Sequence, residues 1–226
     1  MRKQYFFIFI SMLFFPLTAM GQGVDAGQTF FSLYGGLSAG LQRTGIEFAG
    51  EKDFAWGNFG GELGFSVQNF VNPYLSIGGD LRLSGFAGSD KEFFVWHGHH
   101  LDDYRVELDT SLMHLMAAGR LYLNPEGTTR LYIPFGAGLT LTNGEIKYIE
   151  NDYYETSRDH TSASLGYYAG LGWEVDLGAN YAFGIEGRYN SFTYDMGDLA
   201  SKVGVDTTIG EKRYSYVSLA LTFSFR

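Results

Sequence analysis

Large apolar residues alternate with small or polar residues along most of the chain after residue 28. In the segment 165–176, one parity carries Leu165, Tyr167, Ala169, Leu171, Trp173 and Val175, and the other carries Gly166, Tyr168, Gly170, Gly172, Glu174 and Asp176. Successive side chains of a β-strand point to opposite faces, so a period of two predicts strands. Helical spacing of apolar residues is not apparent in this part of the sequence. The pattern therefore predicts an all-β protein.

The alternating segments predict eight strands joined by connections of two lengths. The strands cover residues 29–42, 57–70, 74–86, 104–123, 130–143, 162–177, 181–194 and 213–226. Short turns are predicted at 71–73, 124–129 and 178–180, and long polar loops at 43–56, 87–103, 144–161 and 195–212. Tight turns on one side and long loops on the other are typical of an antiparallel up-and-down barrel in an outer membrane.

The volume of the alternating residues decides which face lies inside such a barrel. Leucine, isoleucine, valine and phenylalanine dominate one parity of most strands, while glycine, serine and threonine dominate the other. The lumen of an eight-stranded barrel holds only a modest filling of side chains, so the large apolar residues are expected to face outward, into lipid. A soluble, lipocalin-like barrel would place them inside. The pattern favours a transmembrane β-barrel.

Two strands depart from simple alternation. In the fourth strand, Leu112 continues the parity of two preceding apolar residues, whereas Met113 begins the opposite parity. This switch predicts a β-bulge near Leu112 and Met113. Pro134 lies within the fifth strand, where it removes a backbone donor, so we expect a bulge or a strand end nearby.

The N-terminus and the composition indicate where the protein is sent. Arg2 and Lys3 precede an apolar run over 5–17 and small residues at Ala19 and Gly21, which predicts a signal peptide over 1–21 and one barrel domain over 22–226. The chain has 0 cysteines, so it has neither disulfides nor a thiolate zinc site. The net charge of −9 argues against nucleic acid as a partner.

Charged residues also fall on the predicted inner parity. Glu62 and Arg82 are equally distant from the turn at Asn72, so a symmetric hairpin would place them directly opposite one another. The predicted interior charge network comprises Glu62, Asp80, Arg82, Arg120, Glu174, Asp176, Glu186 and Arg188, and His114 is expected to lie near Arg120. Because an unpaired buried charge is costly, we interpret this network as an ionic plug. A polar conduit for small solutes is the alternative.

The second long loop contains candidate metal ligands in the run "HGHHLDD". The imidazoles of His97, His99 and His100 and the carboxylates of Asp102 and Asp103 could bind a divalent metal. A solvated polar loop is the alternative, because such dense spacing in a loop rarely preorganises a site. We therefore expect no metal and no other cofactor.

An enzymatic reading of the same region rests on Ser89, His97 and Asp102. Some eight-stranded barrels modify lipid A with a serine, a histidine and an acid near the outer interface. However, no nucleophile motif marks these residues, so we expect no enzymatic activity.

The segments "RLYIPFGAGLTLTN" and "YVSLALTFSF" carry a resemblance to a known family. With the signal and the eight strands, they resemble the small outer-membrane β-barrel superfamily typified by OmpX, OmpW and the transmembrane domain of OmpA. The second segment resembles the C-terminal signal read by the barrel-insertion machinery, which implies outward Val217, Leu219, Leu221, Phe223 and Phe225. The chain departs from that signal by ending on Arg226 instead of an aromatic residue. The resemblance implies a location in the outer membrane of a Gram-negative bacterium, with membrane lipid and lipopolysaccharide as partners.

The long loops suggest the biological role. The acidic and aromatic run "YIENDYYETSRDH" lies in the third of them. Because loops on a rigid barrel usually carry binding, we expect a structural or surface-binding protein with an unidentified extracellular ligand. A porin-like channel for small solutes is the alternative, and a lipid A-modifying enzyme is a third and less favoured interpretation.

Overall fold

The computed structural model describes residues 26–41, 47–48, 51–52, 59–87, 90–97, 100–150, 154–195 and 211–226. Its strands are β1 (Thr29–Gly40), β2 (Glu47–Phe48), β3 (Glu51–Lys52), β4 (Phe59–Asn72), β5 (Leu75–Ala87), β6 (Asp90–His97), β7 (His100–Tyr122), β8 (Thr129–Glu150), β9 (Tyr154–Asp176), β10 (Tyr181–Asp195) and β11 (Glu211–Phe225). Within these ranges, no helix is long and apolar enough to cross a membrane. The predicted signal peptide over 1–21 lies outside the described residues.

Eight of these strands form a closed antiparallel barrel. β1 pairs with β4 on one side and with β11 on the other, which joins the first and last strands of the described sheet. The remaining neighbours follow in the order β4, β5, β7, β8, β9, β10 and β11. The predicted eight-stranded antiparallel barrel is therefore confirmed.

The two faces of the barrel wall differ as the alternation predicts. Outward leucines such as Leu63 and Leu219 are 68% and 62% exposed, whereas inward residues such as Ser32 and Thr222 are buried. A continuous apolar surface of this extent requires a nonaqueous environment. The assignment of small and polar residues to the lumen is confirmed.

Aromatic side chains fill the lumen in two layers. The layer near the short turns, called the lower aromatic layer, consists of Phe30, Phe70, Tyr122 and Tyr132. Its neighbouring rings lie 5.0 to 5.4 Å apart between centroids. The layer near the long loops, called the upper aromatic layer, consists of Phe86, His114, Phe192, Tyr214 and Tyr216. These rings occupy volume that glycine and serine leave open elsewhere in the lumen.

The bulge predicted at Leu112 and Met113 is wrong. β7 pairs with β5 and with β8 through both residues without a shift of register. Leu112 is instead a buried, inward-facing apolar residue, as is Met116, whose Cε reaches the space over Gly166. The parity switch arises because apolar residues occupy both faces of β7 at this level.

Pro134 is accommodated without a bulge. The pairing between β8 and β9 is interrupted at Ile133 and Pro134 and resumes at Phe135 in the same register. Because proline has no backbone N–H, one missing ladder contact is expected here. On its other side, Pro134 pairs regularly with Arg120.

Two of the predicted long loops are largely strand. β8 and β9 remain paired as far as Glu150 and Tyr154, and β6 pairs with β7 from Asp90 to His97. By contrast, the pairing of β9 with β10 ends at Gly166 and Phe192. A sheet therefore extends beyond the barrel wall. This projecting sheet consists of β6 and residues 100–109, 145–150 and 154–165.

Candidate functional site

The interior charge network lies in the lumen and extends from its short-turn end toward the long loops. All eight predicted members lie on the inner face, where Asp176 is half-buried and the other seven are buried. Two further arginines join them, Arg130 and Arg226. Among the described interior residues, the carboxylates of Glu62, Asp80, Glu174, Asp176 and Glu186 thus face the guanidinium groups of Arg82, Arg120, Arg130, Arg188 and Arg226. The formal charges of this set balance.

Near the short turns, two carboxylates of β9 collect several arginines. Arg130 donates from Nε to Glu174 Oε1 at 2.8 Å and also contacts Asp176. Arg226 lies 3.2 Å from Glu174 Oε1 and 2.8 Å from Asp176 Oδ1, measured from its two Nη atoms. Arg120 Nη1 approaches Glu174 Oε2 at 3.4 Å. Hydrogen bonds between ionised groups are the strong ones, so this cluster ties β7, β8, β9 and β11 together.

Glu186 continues the network toward the middle of the lumen. Its carboxylate lies 3.6 Å from Arg120 Nη2, accepts a 2.9 Å hydrogen bond from the Tyr132 hydroxyl, and contacts Arg188. The Arg188 guanidinium lies 4.2 Å from the ring centroid of Tyr34, and the Tyr34 hydroxyl donates to Asp80. The cation–π contact and the hydrogen bond therefore continue the charge network across the lumen, from β10 through β1 to β5.

Arg82 is the central cation of the upper part of the network. Its Nη1 atom lies 3.7 Å from Glu62 Oε2 and donates a 2.8 Å hydrogen bond to Asn190 Oδ1. Its Nη2 atom lies 4.0 Å from Asp80 Oδ2, and its guanidinium lies 4.8 Å from the Tyr168 ring centroid. Arg82 is completely buried, and its Nε and Nη2 atoms and both carboxylate oxygens of Glu62 make no hydrogen bond, so the attraction between the two side chains is that of an ion pair alone.

Glu62 and Arg82 form an ion pair, but the predicted register is wrong. Glu62 pairs with Ser84, and Arg82 pairs with Gly64. The cause is the position of the turn, because Asn72 pairs with Leu75 and the hairpin is therefore centred on Pro73 and Tyr74 instead of Asn72. The two charged residues are diagonal neighbours, and the long arginine side chain spans the extra distance.

Arg130 and Arg226 were not predicted as members of the network, although the alternation contains the signal. Arg130 shares the parity of inward Tyr132, and Arg226 shares that of inward Ser224. Both residues are the short-turn ends of the predicted strands 130–143 and 213–226, so continuing the alternation to those ends would have placed both inside. The expectation that His114 lies near Arg120 is wrong: His114 pairs with Arg82 and hydrogen-bonds with Thr140 and Tyr216, each at 2.9 Å.

The candidate metal and enzyme residues fall mostly where the structure gives no side-chain description. His97 and His100 are register partners at the ends of β6 and β7, and His99 and Ser89 lie outside the described residues. In the described part of the chain, no group of three or more histidine and carboxylate side chains could hold a metal. The metal site and the catalytic arrangement therefore stay as sequence-based expectations.

The residues of the predicted insertion signal lie along β11. Val217, Leu219 and Leu221 are exposed on the outer face. Phe223 and Phe225 stand edge-to-face at 4.9 Å and both contact the Tyr181 ring. Aromatic rings near the short turns are typical of the interfacial girdle of a membrane barrel.

The comparisons with known proteins agree with this architecture. The family model of the outer membrane protein beta-barrel domain matches residues 8–223. No curated protein matches the chain significantly.

Among solved structures, the chain is similar to Ail, the attachment invasion locus protein of Yersinia pestis, with 15% identity, a TM-score of 0.41, and coverage of 88% of this chain and 99% of that chain. Neisserial surface protein A is 10% identical, with a TM-score of 0.45 and coverage of 88% of this chain and 98% of that chain. OprG from Pseudomonas aeruginosa is 12% identical, with a TM-score of 0.43 and coverage of 90% of this chain and 97% of that chain. Because the family model spans nearly all of the barrel, this chain belongs to the family of outer membrane protein beta-barrel domains.

Proposed function

We propose that this outer-membrane barrel is a surface-binding protein whose projecting sheet carries the binding surface. The observation that carries the proposal is the length of β8 and β9, which stay paired to Glu150 and Tyr154 after β9 has parted from β10 at Gly166. A barrel that only spanned the membrane would need strands of about 9 to 11 residues. The additional strand length supports a rigid platform in water, and such platforms commonly carry binding.

The outer face of the projecting sheet supports this placement. Asp109, Glu145 and Asp159 are register partners on β7, β8 and β9. Lys147 lies 3.9 Å from Asp109 in an ion pair that is partly exposed on both sides. Carboxylates are expensive in the hydrocarbon of a bilayer, so this row favours a position outside it. The chain beyond the row then lies at the cell surface.

Export and insertion belong to the same proposal. Residues 1–21 would direct the chain across the inner membrane, and Val217, Leu219, Leu221, Phe223 and Phe225 would present the insertion signal. Lipopolysaccharide would surround the outer end of the barrel. We assign no catalytic activity to it.

Replacing residues 146–158 by Asn-Gly is expected to abolish binding while preserving the barrel. Glu145 and Asp159 are direct partners, so a two-residue type I′ turn can join them. Cells displaying the wild type or this variant would be tested for binding to arrays of immobilised proteins and glycans. The barrel itself would be checked by the heat-dependent mobility of the purified protein in detergent gels. Equal binding by both forms would contradict the role of the projecting sheet.

The interior favours a closed lumen over a channel. The side chains of Arg82, Arg120 and Arg130 are buried, and the two aromatic layers fill further volume of the lumen. We therefore expect no single-channel conductance from the wild type in planar bilayers. The double variant Glu62→Ala with Arg82→Ala should also remain closed, because the aromatic layers are unchanged. Discrete conductance steps in the wild type, with altered ion selectivity in the double variant, would favour the porin-like alternative.

A further inference from the structure

The interior charges of the last four strands find partners within those strands. They consist of Arg130 on β8, Glu174 and Asp176 on β9, Glu186 and Arg188 on β10, and Arg226 after β11. Arg130 and Arg226 both contact the two carboxylates of β9, and Arg188 contacts Glu186. Three arginines therefore neutralise three carboxylates without any residue of β1 to β7.

These contacts span shorter distances along the chain than the contacts that close the barrel. Arg130 and Glu174 are separated by 44 residues, and Arg226 and Glu174 by 52. The hydrogen bond between Ser32 and Ser224, which crosses the seam of β1 and β11, joins residues 192 apart. The entropy lost on closing a loop grows with its length. Pairing within β8 to β11 therefore requires less chain to be ordered than closure does.

Arg226 fastens β11 to β9 across the intervening strand β10. Its side chain contacts Glu174 and Asp176, and its backbone N–H donates to the carbonyl of Asn180 at 2.8 Å. Asp176 pairs with Ala182, which in turn pairs with Ser224. The arginine reaches both carboxylates only when the two hairpins of β9, β10 and β11 are in this register.

The earlier strands contribute one cation whose carboxylate partners lie in this unit, whereas Arg82 contacts Glu62 and Asp80 within β4 and β5. Arg120 on β7 contacts Glu174 and Glu186, which lie on β9 and β10. Tyr34 on β1 lies against Arg188 of β10. The last four strands therefore carry a set of interior charges that is neutral overall, and Arg120 and Tyr34 make further contacts with it.

We infer that β8 to β11 form an assembly unit that neutralises its own interior charge before the barrel closes, and that Arg226 is the latch that holds this unit in register. Charge neutrality matters because unpaired ions are costly to bring into a membrane. The inference concerns assembly, so it stands or falls separately from the proposed surface binding.

Pulsed hydrogen exchange of the full chain refolding into phosphatidylcholine vesicles tests the inference. In the wild type, amides of β9, β10 and β11 should become protected before those of β1 and β4. Arg226→Gln should delay the protection of β9 to β11 by about tenfold, as expected when a strong contact is lost from an early-forming unit. Arg226→Lys, which keeps the charge, should restore part of the rate.

Two matched variants separate the latch from a general effect of charge. Arg213→Gln removes an exposed arginine from the same strand and should leave all rates unchanged. Arg82→Gln should slow protection of β1, β4 and β5 while leaving β9 to β11 early. Simultaneous protection of all strands in the wild type would overturn the assembly unit. Equal delays of all strands in Arg226→Gln and Arg82→Gln would overturn the latch.

Discussion

Replacing Arg82 by alanine is expected to destabilise the barrel by about 3 to 5 kcal/mol, the range found when one partner of a buried ion pair is removed. Arg82 is completely buried, and it is the cation that the structure places against Glu62, at 3.7 Å. Without Arg82, the Glu62 carboxylate stays in the lumen with its charge uncompensated. Asn190 also loses the hydrogen bond that it accepts from Arg82.

Unfolding of the purified protein by urea in vesicles would measure this effect. The double variant Glu62→Ala with Arg82→Ala should recover part of the loss, because it removes the stranded charge as well. The exposed pair of Lys147 and Asp109 provides a matched control, since Lys147→Ala should cost less than about 1 kcal/mol. Small and additive losses at Glu62 and Arg82 would show that water replaces the missing partner, which would argue for a hydrated lumen.

Introducing arginine at Leu115 is expected to cost about 2 to 4 kcal/mol in a bilayer, the cost of a basic side chain near the midplane on the lipid face of a barrel. Leu115 is 59% exposed on the outer face of β7. Its register partners on the neighbouring strands are Leu81 and Leu139, so the substitution would lie within an apolar surface.

Ser111 is the matched control for Leu115. It lies on the same strand and face, closer to the projecting sheet, and its partner on β8 is Asn143. Ser111→Arg should cost about 0 to 1 kcal/mol, as near the interface. Unfolding in bilayers should therefore distinguish the two variants, whereas unfolding of both in detergent should differ less. Equal stability of the two variants in bilayers would contradict the assignment of this face to lipid.

The two predictions examine opposite faces of the same wall. An ion pair such as Arg82 and Glu62 is tolerated inside because each charge finds a partner in the lumen. An arginine at position 115 would have only lipid around it. Together they test the arrangement of polar residues inside and apolar residues outside.

The strand pattern was predictable from the sequence because it is local. The parity of a residue is set by its neighbours in the chain, so inward Glu186 and outward Leu219 could both be assigned before any pairing was known. The volume of the outward residues was enough to choose the face, since an eight-stranded lumen has no room for them. The predicted network residues followed from parity in the same way.

The register between β4 and β5 could not be predicted from the sequence pattern. The offset of Glu62 from Arg82 arises because the turn is centred on Pro73 and Tyr74, and the position of a tight turn is not contained in the alternation. The projecting sheet was missed for a related reason. Polar residues over 144–161 were interpreted as a loop, but β8 and β9 continue to pair there because each supplies the other with backbone partners.

The sequence by itself determined the eight strands of the barrel wall, their inward and outward faces, and the class of protein, because all three follow from local alternation and side-chain volume. Only the tertiary structure decided which charges meet. Arg82 and Asn190 are 108 residues apart, and His114 and Tyr216 are 102 apart. Such contacts exist only once the barrel has closed and its register has set the height of each side chain, and neither quantity is a property of a single strand.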